Sequence, residues 1–123
     1  MASKGFARKR LATAQSLATS FFSEATNVDN LDKIAWTVST SGVTDNTGTF
    51  SFQVRDKDTT TNEFGDWIDI DFTPVPSLSD ANTTMYLFAT EIEASEARLK
   101  FVAAGVTPNG TAQIWVKSSR NGA

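Results

Sequence analysis

The sequence predicts an all-β fold, a single antiparallel β-sandwich of jelly-roll-like type that follows an extended basic N-terminal arm. Apolar and polar residues alternate with a period of two in six stretches after residue 31, which is the pattern of half-buried strands. Clusters of Gly, Pro, Asn and Asp separate those stretches and supply turns. The 123 residues suit one domain and show neither an internal repeat nor a linker. Short strands at this spacing favour a sandwich.

Each alternating stretch predicts one strand. The six predicted strands cover residues 34–38, 50–54, 68–72, 85–89, 99–103 and 112–116. Pro74 and Pro76 end the third strand, because proline cannot donate to a ladder. Residues 94–100 are compatible with one helical turn, but the alternation after Glu96 favours a strand there.

The same alternation selects one apolar side chain in every two as core. The predicted core comprises Ile34, Trp36, Val38, Phe50, Phe52, Val54, Ile68, Ile70, Phe72, Leu87, Leu99, Phe101, Ile114 and Val116. Each such side chain contributes roughly 1.5–3 kcal/mol on full burial. This core is large enough to stabilise a sandwich without a disulfide.

Charge divides the chain into an arm, residues 1–23, and a sandwich domain, residues 24–123. The arm has a charge of +4 and no acid, whereas the remainder carries 7 basic and 14 acidic side chains. We predict that four cations anchor the arm by polar contacts and that four apolar side chains add the rest: Lys4, Arg8, Lys9 and Arg10, then Phe6, Leu11, Phe21 and Phe22. Residues 9–22 are compatible with either a helical stripe or an extended arm that ends in a strand near Phe21.

Two interpretations of the arm remain open at this stage. It is a solvated N-terminus, as in many domains, or it docks on an acidic partner, on nucleic acid or on the acidic body of a neighbouring copy. Four cations neutralise only about four phosphates, which argues against nucleic acid. We predict docking on protein.

Composition argues against catalysis. The chain contains neither Cys nor His, so it has no disulfide, no zinc–thiolate site and no Ser-His-Asp or Cys-His arrangement. A pair of carboxylates for glycoside hydrolysis would need a cleft that the sequence does not indicate. We therefore predict a protein that is not an enzyme and needs no cofactor.

Acidic and aromatic residues provide the other candidate sites. Asp56, Asp58 and Asp66 offer oxygen ligands for Ca²⁺, but the EF-hand pattern is missing and a solvated loop explains them more simply. Trp67, Tyr86 and Trp115 lie opposite the predicted core stripes, where they either stack on sugar rings or pack at a subunit interface. Interface or core packing is the preferred interpretation.

The N-terminus and the apolar runs bear on location. Residues 11–15 are too polar for the core of a signal peptide, so we expect no secretion by that route. The longest apolar stretches fall short of the roughly 20 residues that cross a bilayer, so we expect no membrane partner.

Four stretches of the chain form a recognisable set: residues 50–56, 67–70, 98–102 and the final strand 111–117. Together they resemble small β-sandwich virion proteins of tailed bacteriophages, including capsid decoration (cement) proteins and neck or tail accessory proteins. The chain departs from the commonest form at Asp56-Lys57-Asp58, where a serine and an Asp-Gly turn are more typical. Carbohydrate-binding sandwiches share the strand, loop and Trp arrangement, which keeps recognition of host glycans as an alternative.

The resemblance implies a structural role in the virion. It favours a capsid decoration protein that is made in the host cytoplasm, forms a homo-oligomer and docks through its arm on the major capsid protein or other virion proteins. A neck or tail adaptor is the variant that sequence alone does not separate from this. No catalytic residue is implied.

Overall fold

The computed structural model describes residues 7–29, 33–90 and 92–119. These residues form β-strands, turns and loops, and none of them is helical. All six strands predicted from the alternation are present, including the one after Glu96. The predicted antiparallel β-sandwich is confirmed.

The first sheet has four strands. In spatial order they are β1 (Ala7–Ser16), β11 (Thr111–Ser119), β4 (Lys33–Ser41) and β9 (Thr84–Thr90). Every neighbouring pair is antiparallel. The register of β4 with β9 is unbroken, whereas that of β1 with β11 shifts twice. The two edges of this sheet are therefore different: one is regular and one is irregular.

The second sheet packs against the first. Its main order is β2 (Phe21–Phe22), β10 (Glu96–Val102), β5 (Thr49–Arg55) and β8 (Ile68–Asp71), and β3 (Thr26–Asn27) also pairs with β10. A small hairpin of β6 (Lys57–Asp58) and β7 (Glu63–Phe64) projects from the end of β5. The eight main strands have the jelly-roll order, as predicted: the chain crosses to the other sheet at each step along them except from β5 to β8, which are neighbours in the second sheet.

The residues predicted as an arm lie in the sandwich from Ala7 onward. Residues 7–16 form β1 along β11, and Phe21–Phe22 pair with β10 in the opposite sheet. The segment is therefore extended rather than helical, and it crosses from one sheet to the other. Leu17, at the crossing point, is fully buried.

The core matches the predicted set closely. Val54 is half-buried, and eleven of the fourteen predicted residues are buried: Ile34, Trp36, Val38, Phe50, Phe52, Phe72, Leu87, Leu99, Phe101, Ile114 and Val116. The prediction is wrong for Ile68 and Ile70, which are 60% and 38% exposed. They lie on β8, the short edge strand of the second sheet. An edge position leaves an inward-facing side chain without a neighbour on one side, and alternation alone does not reveal this.

Segments outside the six predicted strands complete the core. Leu17, Val28, Val43 and Leu78 are all buried, and each comes from a turn or a connecting loop. Aromatic contacts tie the sheets together within the core, with Trp36 and Phe52 ring centres 5.7 Å apart. The sandwich is therefore closed by its loops as well as by its strands.

Candidate functional site

The outer face of the four-stranded sheet concentrates positive charge. Ile34, Trp36 and Val38 point into the core, so the alternate residues of the paired strands point outward. None of the strands β1, β4, β9 and β11 contains Asp or Glu. We define the basic face by the outward cations and aromatic residues of this sheet: Arg8, Arg10, Lys33, Lys117, Trp115, Tyr86 and Phe88.

Register places all of these residues except Lys33 in two adjacent rows across the sheet, and Lys33 lies in the next row, between Ser119 and Thr90. The first row runs Arg10, Trp115, Thr37 and Tyr86, and the second runs Arg8, Lys117, Ala35 and Phe88. The rows begin at the cationic edge strand β1 and end at the aromatic edge strand β9. The sheet thus has a cationic side and an apolar side on one surface.

Trp115 is covered by the N-terminal cations. The guanidinium carbons of Arg8 and Arg10 lie 4.8 Å and 5.4 Å from the centre of the Trp115 ring. Such cation–π contacts contribute about 0.5–1 kcal/mol each at exposed sites. Trp115 is half-buried as a result, and a sugar ring would have to displace an arginine to stack on the covered ring face.

Tyr86 and Phe88 are the solvent-exposed aromatic residues of the basic face. Their rings lie 5.8 Å apart, and the residues are 60% and 59% exposed. Together with Lys33 and Lys117 they line a shallow cavity of about 270 Å³ whose floor includes the buried Ala35. This corner can accept a planar or apolar group beside a negative charge.

The second sheet uses its cations differently, in a stack of rings and guanidinium groups that holds Trp67. Arg98 lies 4.0 Å from the ring centre of Phe22 and 4.1 Å from that of Trp67. The guanidinium carbon of Arg55 lies 4.4 Å from the ring centre of Trp67 and 4.1 Å from that of Phe64. Trp67 is therefore a packed element of this stack, which leaves it half-buried.

Hydrogen bonds satisfy most of the charge on the second sheet. Arg55 forms an ion pair with Glu96 at 2.6 Å, and Lys100 forms one with Asp69 at 3.1 Å. A hydrogen bond from Gln53, reinforced by Lys100, lowers the pKa of Asp69. Desolvation, with a contribution from the nearby Arg55, lowers the pKa of Arg98. Glu96 and Asp69 are thus paired with neighbouring bases, whereas the strands of the basic face contain no acid.

The predicted arm residues are distributed over both sheets. Lys9 forms an ion pair with Glu24 at 2.9 Å, and Leu11 is half-buried against the core. The Phe21 ring packs 5.4 Å from that of Phe101, while Phe22 covers Arg98. Among the arm residues that the structure describes, only Arg8 and Arg10 belong to the basic face.

The first two residues of the predicted set, Lys4 and Phe6, lie outside the described residues.

The candidate Ca²⁺ ligands form a turn. Oδ1 of Asp58 accepts hydrogen bonds from the backbone N–H groups of Thr60 and Thr61, and the carbonyl of Asp56 accepts one from Gly65. Within residues 7–29, 33–90 and 92–119, no three acidic side chains are grouped closely enough to hold a metal ion. Asp56 and Asp58 thus shape the β6–β7 hairpin.

Sequence reasoning missed Lys33, Lys117 and Phe88 as members of the basic face. The alternation that selected Tyr86 and Trp115 also places Phe88 and Lys117 on the outward side. The sequence does not show which strands are neighbours in the sheet. The strand order β1, β11, β4 and β9 is what places Arg8, Lys117 and Phe88 in one row.

Comparisons with known proteins support the fold. No family model matches the chain, and no curated protein matches it. The crystal structure of the SPBc2 prophage-derived protein YomS is similar, with a TM-score of 0.52 and 10% sequence identity over 97% of each chain. At that identity the likeness concerns the fold, and it extends over nearly the whole of both chains. No helix in the described part of the chain is long and apolar enough to cross a membrane.

Proposed function

We propose that this chain is a structural virion protein of a bacteriophage, most specifically a capsid decoration protein, and that it acts by docking rather than by catalysis. The observation that carries the proposal is the basic face: one whole sheet without an acidic side chain on a protein whose net charge is −3. Positive charge on one face of a protein whose net charge is negative attracts an acidic surface and turns that face towards it. Its fold likeness to a prophage-derived protein supports the phage context.

The docking surface on this proposal is the basic face, and the partner is an acidic surface of the major capsid protein or another virion protein. Arg8 and Arg10 contribute guanidinium groups that Trp115 already orients. Preorganised arginines lose less conformational freedom on binding, and arginine forms bidentate contacts with carboxylates. The N-terminal segment thus takes part in docking as a strand of the sandwich.

Point substitutions test this better than a deletion of the N-terminal segment. Removing residues 1–20 would remove β1 and the buried Leu17, so a failure to bind would be explained by unfolding. We therefore propose the double variant Arg8→Gln and Arg10→Gln. The matched control is Lys57→Gln on the β6–β7 hairpin, which removes an exposed cation far from the basic face in the fold.

The measurement is the number of copies bound to particles that lack the protein, by gel densitometry after sedimentation, at increasing salt. We expect the double variant to bind more weakly and with a shallower salt dependence than the wild type, and the control to bind as the wild type does. Equal binding of all three proteins would reject the basic face as the docking surface. Absence of the chain from wild-type particles would reject the virion role itself.

Copy number separates the decoration protein from the neck or tail adaptor. A shell protein is present in hundreds of copies, whereas a neck or tail component follows a ring symmetry of about six or twelve. The same gel of purified particles gives this number.

A further inference from the structure

In the described part of the chain, the four-stranded sheet has an unpaired edge along β9. β9 bonds to β4 on one side, and no described residue pairs with its other side. The backbone N–H of Thr40 donates to the carbonyl of Thr83. In an antiparallel pair every second residue is hydrogen-bonded to the partner strand, so this bond determines which residues of β9 bond to β4. Met85, Leu87 and Ala89 therefore direct their backbone groups to β4. The four remaining residues direct theirs to the free edge: Thr84, Tyr86, Phe88 and Thr90.

This edge lacks the features by which sheet edges avoid each other. Charged side chains, proline and bulges are the usual protection, and β9 has none of them across Thr84–Thr90. The opposite edge of the same sheet, β1, carries Arg8, Lys9 and Arg10 and two register shifts. The neighbouring edge β8 carries Asp69 and Asp71 and is followed by Pro74. Of these three strands, β9 is the one that lacks such protection and can accept a strand.

Exposed apolar surface gathers on the same side of the sandwich. Tyr86 and Phe88 flank the edge, and Ile68 and Ile70 lie on β8 opposite it. Between the two edge strands runs a groove of about 440 Å³ that includes Ile70, Leu87 and Pro74 in its lining. Tyr86 and Phe88 each expose roughly 100–150 Å² of surface. If two copies paired along this edge and also covered the groove, the total buried area could approach about 1,000 Å², the size of a specific interface.

We propose that the occupant of this edge is β9 of a second copy, related by a two-fold axis near Leu87. In that antiparallel register Tyr86 of one copy faces Phe88 of the other, and Thr84 faces Thr90. Each facing pair exchanges two backbone hydrogen bonds, and the aromatic pairs pack across the strands. The uncharged edge meets itself without like-charge repulsion, and the two-fold closes the assembly as a dimer.

The dimer joins two four-stranded sheets into one sheet of eight strands. The aromatic ends of both basic faces meet at the two-fold axis, and Arg8 and Arg10 of each copy lie at the two far edges. The dimer interface and the cationic ends are thus separate regions of the same surface. This inference does not depend on the proposed virion role, because the pairing uses only the chain itself.

The test is the oligomeric state of the full chain by sedimentation velocity, from micromolar to submillimolar concentration. We expect a reversible dimer for the wild type. Phe88→Lys places a charge opposite Tyr86 of the second copy, and we expect it to weaken the dimer by about tenfold or more, which corresponds to about 1.4 kcal/mol. The control is Val106→Lys, which adds the same charge at a residue that is 97% exposed in a loop; its dimer should be unchanged.

Hydrogen exchange tests the register itself. In the dimer, the amides of Tyr86 and Phe88 should gain protection as concentration rises, whereas those of Leu87 and Ala89, already bonded to β4, should be protected at every concentration. A monomer throughout the range, or a dimer that Phe88→Lys leaves intact, would overturn the proposal. Should Phe88→Lys fail to fold by circular dichroism, Tyr86→Lys takes its place, since Tyr86 is equally exposed. Protection of the edge only when virion particles are added would also overturn it, in favour of a foreign strand.

Discussion

The side-chain amide of Asn46 donates a hydrogen bond to the carbonyl oxygen of Leu17 over 2.7 Å, between residues 29 positions apart. The same amide nitrogen donates to the carbonyl of Asn109 at 3.1 Å, and the side-chain oxygen accepts from the N–H of Gly48 at 2.9 Å. Asn46 is completely buried. One side chain therefore joins the turn after β1, the loop before β5 and the loop before β11.

We predict that Asn46→Ala is strongly destabilising. The substitution leaves the carbonyl oxygens of Leu17 and Asn109 and the N–H of Gly48 without this partner, and a buried polar group left unsatisfied costs about 1–3 kcal/mol. Partial relaxation and entry of water reduce the sum, so we expect a loss of about 2–4 kcal/mol in the free energy of unfolding. Urea denaturation measures it.

Gln113→Ala is the matched control for that prediction. Gln113 carries the same functional group on the exposed face of β11, where substitutions usually change stability by less than about 0.5 kcal/mol. Similar losses in the two variants would show that burial of the Asn46 amide does not matter.

Asn46 also shows where prediction from the sequence reaches its limit. Alternation predicts the six main strands and most of the core, because both depend on neighbours one or two positions away. The sequence predicts turns at its clusters of Gly, Pro, Asn and Asp, and Asn46 does lie in such a loop, but its partners Leu17 and Asn109 are brought together only by the tertiary fold. Residues whose role is set by distant contacts carry no local signal.

The candidate site, too, is predicted from the sequence only where local patterns determine it. The alternation along the strands places Trp115 and Tyr86 on an outward face, and the charge count identifies a cationic N-terminus. That Arg8 and Arg10 cover Trp115 depends on β1 pairing with β11, more than a hundred positions later in the chain. For β1 itself the periodicity is ambiguous, and the register shifts at Ala12 explain why: they break the alternation that identifies a strand.

Trp67 provides a prediction that separates packing from glycan recognition. Trp67→Ala removes the ring between Arg55 and Arg98, and with it two cation–π contacts and partly buried apolar area. We expect a loss of about 1–3 kcal/mol in unfolding free energy, with Trp67→Phe losing clearly less because a ring remains in the stack. Chemical denaturation of the three proteins decides it. Unchanged stability of Trp67→Ala, combined with lost binding on a glycan array, would favour the glycan interpretation instead.

The lowered pKa of Asp69 should make the free energy of unfolding depend on pH in a specific way. Hydrogen bonding from Gln53 and the nearby Lys100 hold the pKa of Asp69 below its ordinary value. A carboxyl whose pKa is lower in the folded state adds stability above its unfolded pKa of about 3.9, and that contribution is lost as the pH falls through the folded-state pKa.

The check uses Asp69→Asn and Gln53→Ala. At neutral pH Asp69→Asn should be less stable than the wild type, and this difference should shrink as the pH falls below about 4. In Gln53→Ala, the carboxyl pKa of Asp69 measured by NMR should rise towards its ordinary value. A stability difference that persists unchanged in acid would contradict the assignment.

Two glycines give the most stringent test of core packing, because they carry the same substitution in opposite surroundings. A Cβ on Gly48 would lie 2.7 Å from the carbonyl oxygen of Val102 and closer still to the ring of Phe101, which is fully buried. A Cβ on Gly65 would meet only the carbonyl oxygen of Asp56, at an ordinary 3.7 Å. We expect Gly48→Ala to lower the unfolding free energy by about 1–3 kcal/mol, since the packed ring cannot move aside freely. Gly65→Ala should be neutral or slightly stabilising, because it restricts the unfolded chain without a clash. Thermal melts of both variants measure the contrast, and equal melting temperatures would mean that the loop before β5 does not approach β10 as closely as the structure shows.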